Sequence, residues 1–484
     1  MFLDVKVTPV LGYRSIDVFP SVLLALTVMF WFNDDDVNWT LAKAIELSRS
    51  ITMSDLPYFP VILDASIKDF KYAVSQCLKE FTETERCQLI SELAQLWTHE
   101  TNPNHVLPAL CVRSAFDLFL QAKNFPRGSE VIMSAVNIPD MSRIVESHML
   151  KVVPLDISID SLEPKAQLIP SLVSDKTVAI VVAHLCGRWT DMQPFIDLAR
   201  QYNIYVIEDC AECFCGFQQL GHPDSDISLF SFGAIKFNTS FGGCVCKVRD
   251  KKVFNDMSEL HNKYPVQPHD LYLQKVMKLA MIYMWMQMKP FPHIGRAVLK
   301  KLGYDYKAKF VSMMRGFPQN MLKMIRFQPC TALLATMLYR HKNFSKSNFD
   351  LQRQKGEYFL SRLPVGFYKV GHCCKRDNNF WLFPVLVKNS DAVIHSLNSL
   401  GVEAYRGATQ LNLVQGSQNA EEDSNSYPSE AKHLMSHIIY LPVSKLVPFH
   451  KLDEMLRLCH MALSSSSTSE GKSHDSDVTL NSKL

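Results

Sequence analysis

Residues 177–184 are apolar and largely β-branched without polar alternation, as expected of a strand buried on both faces. A strand of that kind needs a layer of helices on each side of its sheet. The flanking sequence supplies them. Residues 130–136, 151–157, 204–207, 227–232 and 244–248 read as further short strands. Between them, 140–150 carries Met141, Ile144, Val145 and Met149 at helical spacing, and 191–202 carries Phe195, Ile196, Leu198 and Ala199. Strands alternating with helices over 127–248 predict an α/β fold with a largely parallel sheet covered on both faces. In such sheets ligands bind beyond the carboxyl ends of the strands.

Two of those ends carry chemistry. The 204–207 strand closes in Glu208-Asp209. The 227–232 strand is followed by Ser231-Phe232-Gly233-Ala234-Ile235-Lys236, ahead of the Gly242-Gly243 pair. A carboxylate and an amine converging there suit pyridoxal phosphate: the lysine forms a Schiff base with its aldehyde, and the carboxylate keeps the pyridine nitrogen protonated, so the ring acts as an electron sink. Singly, each residue has a plainer reading. Lys236 alone is an ordinary surface lysine, Asp209 a turn or cap residue, and His184 a satisfied structural histidine. Their joint placement carries the inference.

At 484 residues the chain exceeds one hydrophobic core, so two domains are expected. Residues 1–104 read as a mostly helical extension, with Asn33 and the three following Asp residues as a helix start. A large α/β domain spans 105–325 and contains a helical insert at about 255–322. In that insert Met277, Met281, Met284 and Met288 follow a helical period. The stripe reads as packed core or subunit contact, the alternative being a membrane-surface or substrate-channel face. Residues 326–463 read as a small α+β domain with a disordered loop at 416–432, and 464–484 as a disordered tail. The tail ends in Ser482-Lys483-Leu484, which predicts recognition by the peroxisomal import receptor in a host that has peroxisomes, and a cytoplasmic protein otherwise.

The apolar run 18–32 contains Pro20 and is shorter than the roughly 20 residues a spanning helix needs, so packing is favoured over a membrane anchor. A net charge of +3 without a dense basic run gives no reason to invoke nucleic acid. Thirteen cysteines, an odd number, argue against a disulfide framework. Cys210, Cys213, Cys215, Cys244 and Cys246 offer only one Cys-x2-Cys spacing, so they read as buried thiols and no metal is expected.

Residues 108–250 resemble the DegT/DnrJ family of pyridoxal-phosphate-dependent sugar aminotransferases, which have the fold-type I architecture. Arg127-Gly128-Ser129-Glu130-Val131-Ile132 is similar to the family's "GDEVI", and His184-Leu185-Cys186-Gly187 followed by Asp191-Met192 to "HLYG…DM". Glu208-Asp209-Cys210-Ala211-Glu212 is close to "EDCAQ", and 230–243 to its Ser-to-Lys segment with the Gly pair. The resemblance implies that Lys236 is the Schiff-base lysine and proton-transfer base, and that Asp209 binds the pyridine nitrogen. It places Ala211 under the ring, Glu212 near the phenolic oxygen, and Ser231 on the phosphate. Ser114-Ala115 would form the phosphate turn, after a 112–114 segment that precedes a helix.

The implied reaction moves an amino group from a small-molecule amino donor to a keto acceptor, in a homodimer. Alternatives are a lyase, decarboxylase or racemase, or a catalytically silent scaffold. Four departures from the pattern bear on substrate. Arg113 stands where the phosphate turn has Gly. Val136, followed by Asn137, stands where the ring-stacking aromatic belongs. The segment between Lys236 and Gly242 is short, and the Asn that family members lend to the neighbouring subunit's phosphate is absent near Met324.

Overall fold

Thr177–Ala183 is the strand that the apolar run predicts, with Ala179 and Val181 in one core cluster and Ile180 and Val182 in another. Both faces are buried, so no polar alternation is needed. In the computed structural model, residues 56, 58–287, 320–373, 377–407, 410–416 and 427–467 are described. The 18–32 run, the Asn33 helix start, Met288 with the insert through 319, positions 417–426 of the loop, and Ser482-Lys483-Leu484 lie outside them.

The strands in chain order are β1 His105–Ala109, β2 Glu130–Ser134, β3 Val136–Asn137, β4 Lys151–Leu155, β5 Thr177–Ala183, β6 Tyr205–Asp209, β7 Ile227–Ser231, β8 Cys244–Val248, β9 Phe383–Leu386, β10 Asn412–Leu413 and β11 Ile438–Leu441. Seven build one sheet in the order β1-β8-β7-β6-β5-β2-β4. Only β8 is antiparallel to its neighbours, β1 and β7; the other pairings are parallel. The fold is therefore α/β with a mostly parallel central sheet. β1 at the sheet edge was not foreseen. Pro108 within it argues against a central strand, and an edge is where proline is tolerated.

Before β1, helices Ile67–Cys77 and Glu83–Trp97 each begin with a capping box, Ser66 with Asp69 and Thr82 with Glu85. Lys247 of β8 is fully buried and donates to the Trp97 and Asn102 carbonyls at 3.1 and 2.9 Å, fastening this segment to the sheet.

The first part of the insert forms helices Lys251–Asn262 and His269–Gln287. The methionine stripe is not core. Met277, Met281 and Met284 are 45%, 42% and 50% exposed, while Tyr272, Val276, Leu279 and Ile282 fill the buried face. The packed and methionine positions interleave along one helix, so period alone could not say which face turns inward. Among the described residues no helix is long and apolar enough to cross a membrane.

Toward the C-terminus, β9 and β11 pair antiparallel, and helices Lys346–Arg362, Ser390–Ser399 and Phe449–Ser467 surround a separate core. Two expected boundaries shift. Helix Ser429–His437 takes the end of the 416–432 loop, with Ala431 and Leu434 buried, and the last helix continues past 464 to Ser467.

Candidate active site

The carboxyl ends of β5, β6 and β7 open on one cavity, lined among others by His184, Asp209, Ala211, Glu212, Ser231 and Lys236. Lys236 lies beyond β7, in a turn that Lys236 N closes onto the Gly233 carbonyl at 3.1 Å. Thr239 Oγ1 donates to that carbonyl at 2.7 Å. The Lys236 amine stands 3.5 Å from Glu212 Oε1 and 3.6 Å from the centroid of the Trp381 ring. Burial lowers the proton affinity of this amine against the pull of the Glu212 and Asp209 carboxylates.

Asp209 ends β6 and is 7% exposed. Its Oδ1 accepts the Ala211 N–H at 3.1 Å. Burial raises its carboxyl pKa, opposed by that N–H and by Lys236. Burial likewise raises Glu212, whose Oε2 accepts the Cys186 N–H at 2.9 Å.

Glu208, beside Asp209, serves the structure instead. Its side chain is buried and accepts from His184 Nε2 at 3.0 Å, the His222 N–H at 2.8 Å, Ser225 Oγ at 2.9 Å and Ser228 Oγ at 2.7 Å. Burial alone would raise this carboxyl, yet His184 and the other donors hold it at about 2. The Thr190 N–H donates to His184 Nδ1 at 2.9 Å, which leaves Nε2 as the ring's donor toward Glu208. His184, Cys210 and Cys213 approach within 4.8 Å of one another, but both ring nitrogens are already engaged. Glu208→Ala would leave several buried donors without an acceptor. We expect it to lower the unfolding free energy by about 3 kcal/mol or more, measured by denaturant titration.

The phosphate turn differs from expectation. Residues 112–114 do not precede a helix; they are the first turn of helix Val112–Lys123. Ser114 and Ala115 stand back from the cavity, which Cys111, Val112 and Arg113 line. Ser114 Oγ donates to the Ile325 carbonyl at 2.7 Å. The neighbouring Arg326 grips the buried Asp117 of the same helix through Nε and a terminal nitrogen at 2.9 and 3.0 Å. The serine hydroxyl thus joins helix to chain. Arg113 pairs with Asp140 at 2.6 Å. Lys275, from helix His269–Gln287, approaches Gly242: a Cβ there would meet its Nζ at 3.4 Å. Burial lowers Lys275 to about 8, with Cys111 and Arg113 also acting on it.

Three wall residues went unassigned in the sequence reading. Trp381 lines the cavity and donates Nε1–H to the Ile235 carbonyl at 2.6 Å. Its position explains Gly187: at φ +89 a Cβ there would meet Asn379 Oδ1 at 1.8 Å and Trp381 N at 2.9 Å. The approach of residues 379–381 therefore requires glycine in His184-Leu185-Cys186-Gly187. Gln410 lies on the wall as well, next to β10. Finally, Asn137 faces the cavity, whereas Val136 packs into a core cluster.

A family profile described as "DegT/DnrJ/EryC1/StrS aminotransferase family" matches residues 68–456. The chain is 29% identical over 211 residues to GDP-perosamine synthase of Escherichia coli O157:H7, covering 41% of this chain and 56% of that protein. It is 27% identical over 165 residues to UDP-4-amino-4-deoxy-L-arabinose–oxoglutarate aminotransferase of Shewanella sediminis (strain HAW-EB3), covering 34% and 42%. The matches thus span about half of these curated relatives. Among solved structures, the aminotransferase TlmJ from Streptoalloteichus hindustanus aligns with TM-score 0.58 at 14% identity, over 86% of this chain and all of that one. NtdA from Bacillus subtilis with bound cofactor PMP aligns with TM-score 0.59 at 15% identity, over 86% of each. At that identity the likeness shows a shared fold.

Proposed function

The chain belongs to the DegT/DnrJ/EryC1/StrS aminotransferase family, and we propose that it is a pyridoxal-phosphate-dependent aminotransferase passing an amino group from an amino acid to a keto group on a nucleotide-linked sugar. One observation carries the reading. Lys236, beyond the end of β7, and Asp209, the last residue of the paired strand β6, open on one cavity. The residues fit the cofactor on a feature of this site. Asp209 Oδ1 is occupied by Ala211, and no hydrogen bond among the described residues reaches its Oδ2. That oxygen suits a pyridine N–H.

Pyridoxal phosphate, when bound, supplies an aldehyde for amine exchange and a ring that takes up an electron pair. Lys236 holds the aldehyde end, since an amine whose proton affinity is lowered by burial is more often uncharged and nucleophilic. The same Nζ, once free, would hold and move the proton at the reacting carbon. Asp209 would hold the ring nitrogen, with Ala211 packing against the ring and Glu212 toward its phenolic oxygen, all three lining this cavity. The phosphate belongs with Ser231 and the start of helix Val112–Lys123, where Arg113 and Lys275 bring positive charge.

Glutamate as donor and a nucleotide-linked sugar as acceptor accord with the Shewanella relative, whose name joins a UDP-amino-sugar to oxoglutarate. A homodimer is part of the same proposal, checked by sedimentation of the cofactor-loaded protein.

The purified protein, loaded with pyridoxal phosphate, is expected to show the visible absorbance of a covalently held aldehyde and to convert to the pyridoxamine spectrum when glutamate is added. Failure to retain cofactor would favour the silent scaffold. Retention without conversion by any amino acid would move the reaction to a lyase, decarboxylase or racemase.

A further inference from the structure

Asn137 lies in β3, a two-residue strand that pairs with β10, where Asn137 opposes Asn412 and Val136 opposes Leu413. It is 4% exposed and lines the cavity that holds Lys236 and Asp209. Its Oδ1 accepts the Ile138 N–H at 2.7 Å. That bond fixes the orientation of the amide, because exchanging its oxygen and nitrogen would set two donors against each other. The Nδ2 group is then turned away from Ile138 and has no acceptor. Among the described residues other buried side-chain atoms lack partners too, including Asn102 Oδ1, Asn238 Nδ2, His261 Nε2 and His341 Nε2, but none of these residues lines this cavity.

A buried donor without an acceptor is costly, and in native structures such groups are rare enough to need a reason. The surroundings supply one. Asn137 occupies the stretch of wall where the resemblance leads one to expect an aromatic ring, and an amide cannot replace the apolar contact of a ring. It can donate two hydrogens. Of the other residues on this wall, Ile138, Met141 and Leu411 are apolar, and Gln410, though polar, does not engage this Nδ2.

Resting on the cofactor reading above, we propose that Asn137 Nδ2 donates a hydrogen bond to an oxygen of the molecule that fills the cavity and so helps decide what the enzyme accepts. The oxygen is carried either by the pyridoxal ring or by the keto sugar. On the sugar's oxygen Asn137 is a specificity residue, on the ring's a cofactor-binding one, and its pairing through β3 and β10 ties it to the wall that also presents Gln410 and Leu411.

Asn137→Asp and Asn137→Leu in the full chain test this. The aspartate keeps the shape and an acceptor for the Ile138 N–H but removes the donor; the leucine removes both. Three quantities are read: pyridoxal phosphate affinity by absorbance titration, the half-reaction with glutamate, and KM for the keto probes 2-oxoglutarate and a UDP-linked 4-keto-pentose. If the oxygen is on the cofactor, its affinity falls roughly tenfold in both variants. If it is on the sugar, cofactor affinity and the glutamate half-reaction stay at parental values, and KM for the UDP-linked probe rises roughly tenfold while that for 2-oxoglutarate does not. Thermal unfolding of the cofactor-free variants guards against misfolding. Lowered melting with unchanged affinity and KM would mean a structural residue and overturn the proposal. Parental values throughout would overturn it while leaving the aminotransferase reading intact. A parent that retains no pyridoxal phosphate would overturn the assignment of the cavity, and this inference with it.

Discussion

Replacing Lys236 with alanine is expected to cut transamination by roughly 10²–10⁴-fold while leaving the fold intact. The side chain is 16% exposed and rests against Trp381 and Glu212, so its removal vacates space at the cavity rim without opening the core. On the proposed reading, losing the amine removes both the covalent hold on the aldehyde and the group that carries the proton. Lys236→Arg separates charge from proton transfer. An arginine keeps the cation beside Glu212 but stays protonated at any working pH, so it cannot act as a base. Both variants should therefore fail in single-turnover conversion with glutamate. Both should still take up pyridoxal phosphate without the covalent absorbance, because Asp209 and the phosphate end of the cavity remain. A small external amine should restore part of the rate to the alanine variant only. A Lys236→Ala protein turning over at the parental rate would remove the aminotransferase reading.

What the sequence discloses about this site is its local part. The uninterrupted apolar run of β5 shows a sheet buried on both faces, and the strand-end positions of Asp209 and Lys236 follow from counting along neighbouring segments. What it hides is convergence over distance. Trp381 reaches the Lys236 amine from 145 positions downstream because Asn379 folds onto Gly187, and nothing in the local pattern of 378–381 points there. The partner choice of a two-residue strand is equally illegible. In β3 a shift of one residue exchanges Val136 for Asn137 at the cavity, since side chains alternate between faces. Ser114 shows a third limit. A hydroxyl in the expected turn was available to the phosphate by pattern, but the Ile325 carbonyl, brought back by the chain after the insert, engages it. Helix and strand preferences set the sheet; the site walls were set by which distant segment arrives.

The buried thiols make a further prediction: the fold should lose stability steeply between pH 8.5 and 10. Cys186, Cys210, Cys213, Cys244, Cys246, Cys330 and Cys459 are all buried, and burial raises each one above its ordinary value of 9.0, to about 12 for Cys213, Cys246, Cys330 and Cys459. Above pH 9 the unfolded chain has released these protons while the folded chain keeps them. The folded state then binds more protons, and stability falls as pH rises. At pH 10 each thiol costs about 1.4 kcal/mol relative to neutral pH. The buried lysines oppose this. Lys247 and Lys275, lowered by burial from 10.5 to about 8, lose their protons in the fold first and recover stability between pH 8 and 10.5. Each returns at most about 3 kcal/mol over that window. Cys77 and Cys215, raised by burial to about 11, join the thiols, and Lys236 and Lys355, lowered by burial, join the lysines. Nine thiols against four lysines decide the sign, and Tyr272, raised by burial, adds to the thiol side. Urea midpoints measured at pH 7.5 and pH 10 should differ sharply, and Cys330→Ala with Cys459→Ala should flatten the decline despite lowering stability at neutral pH. A midpoint that holds or climbs across that range would mean that the lysines outweigh the thiols and that the cysteine-rich core is less dry than its packing indicates.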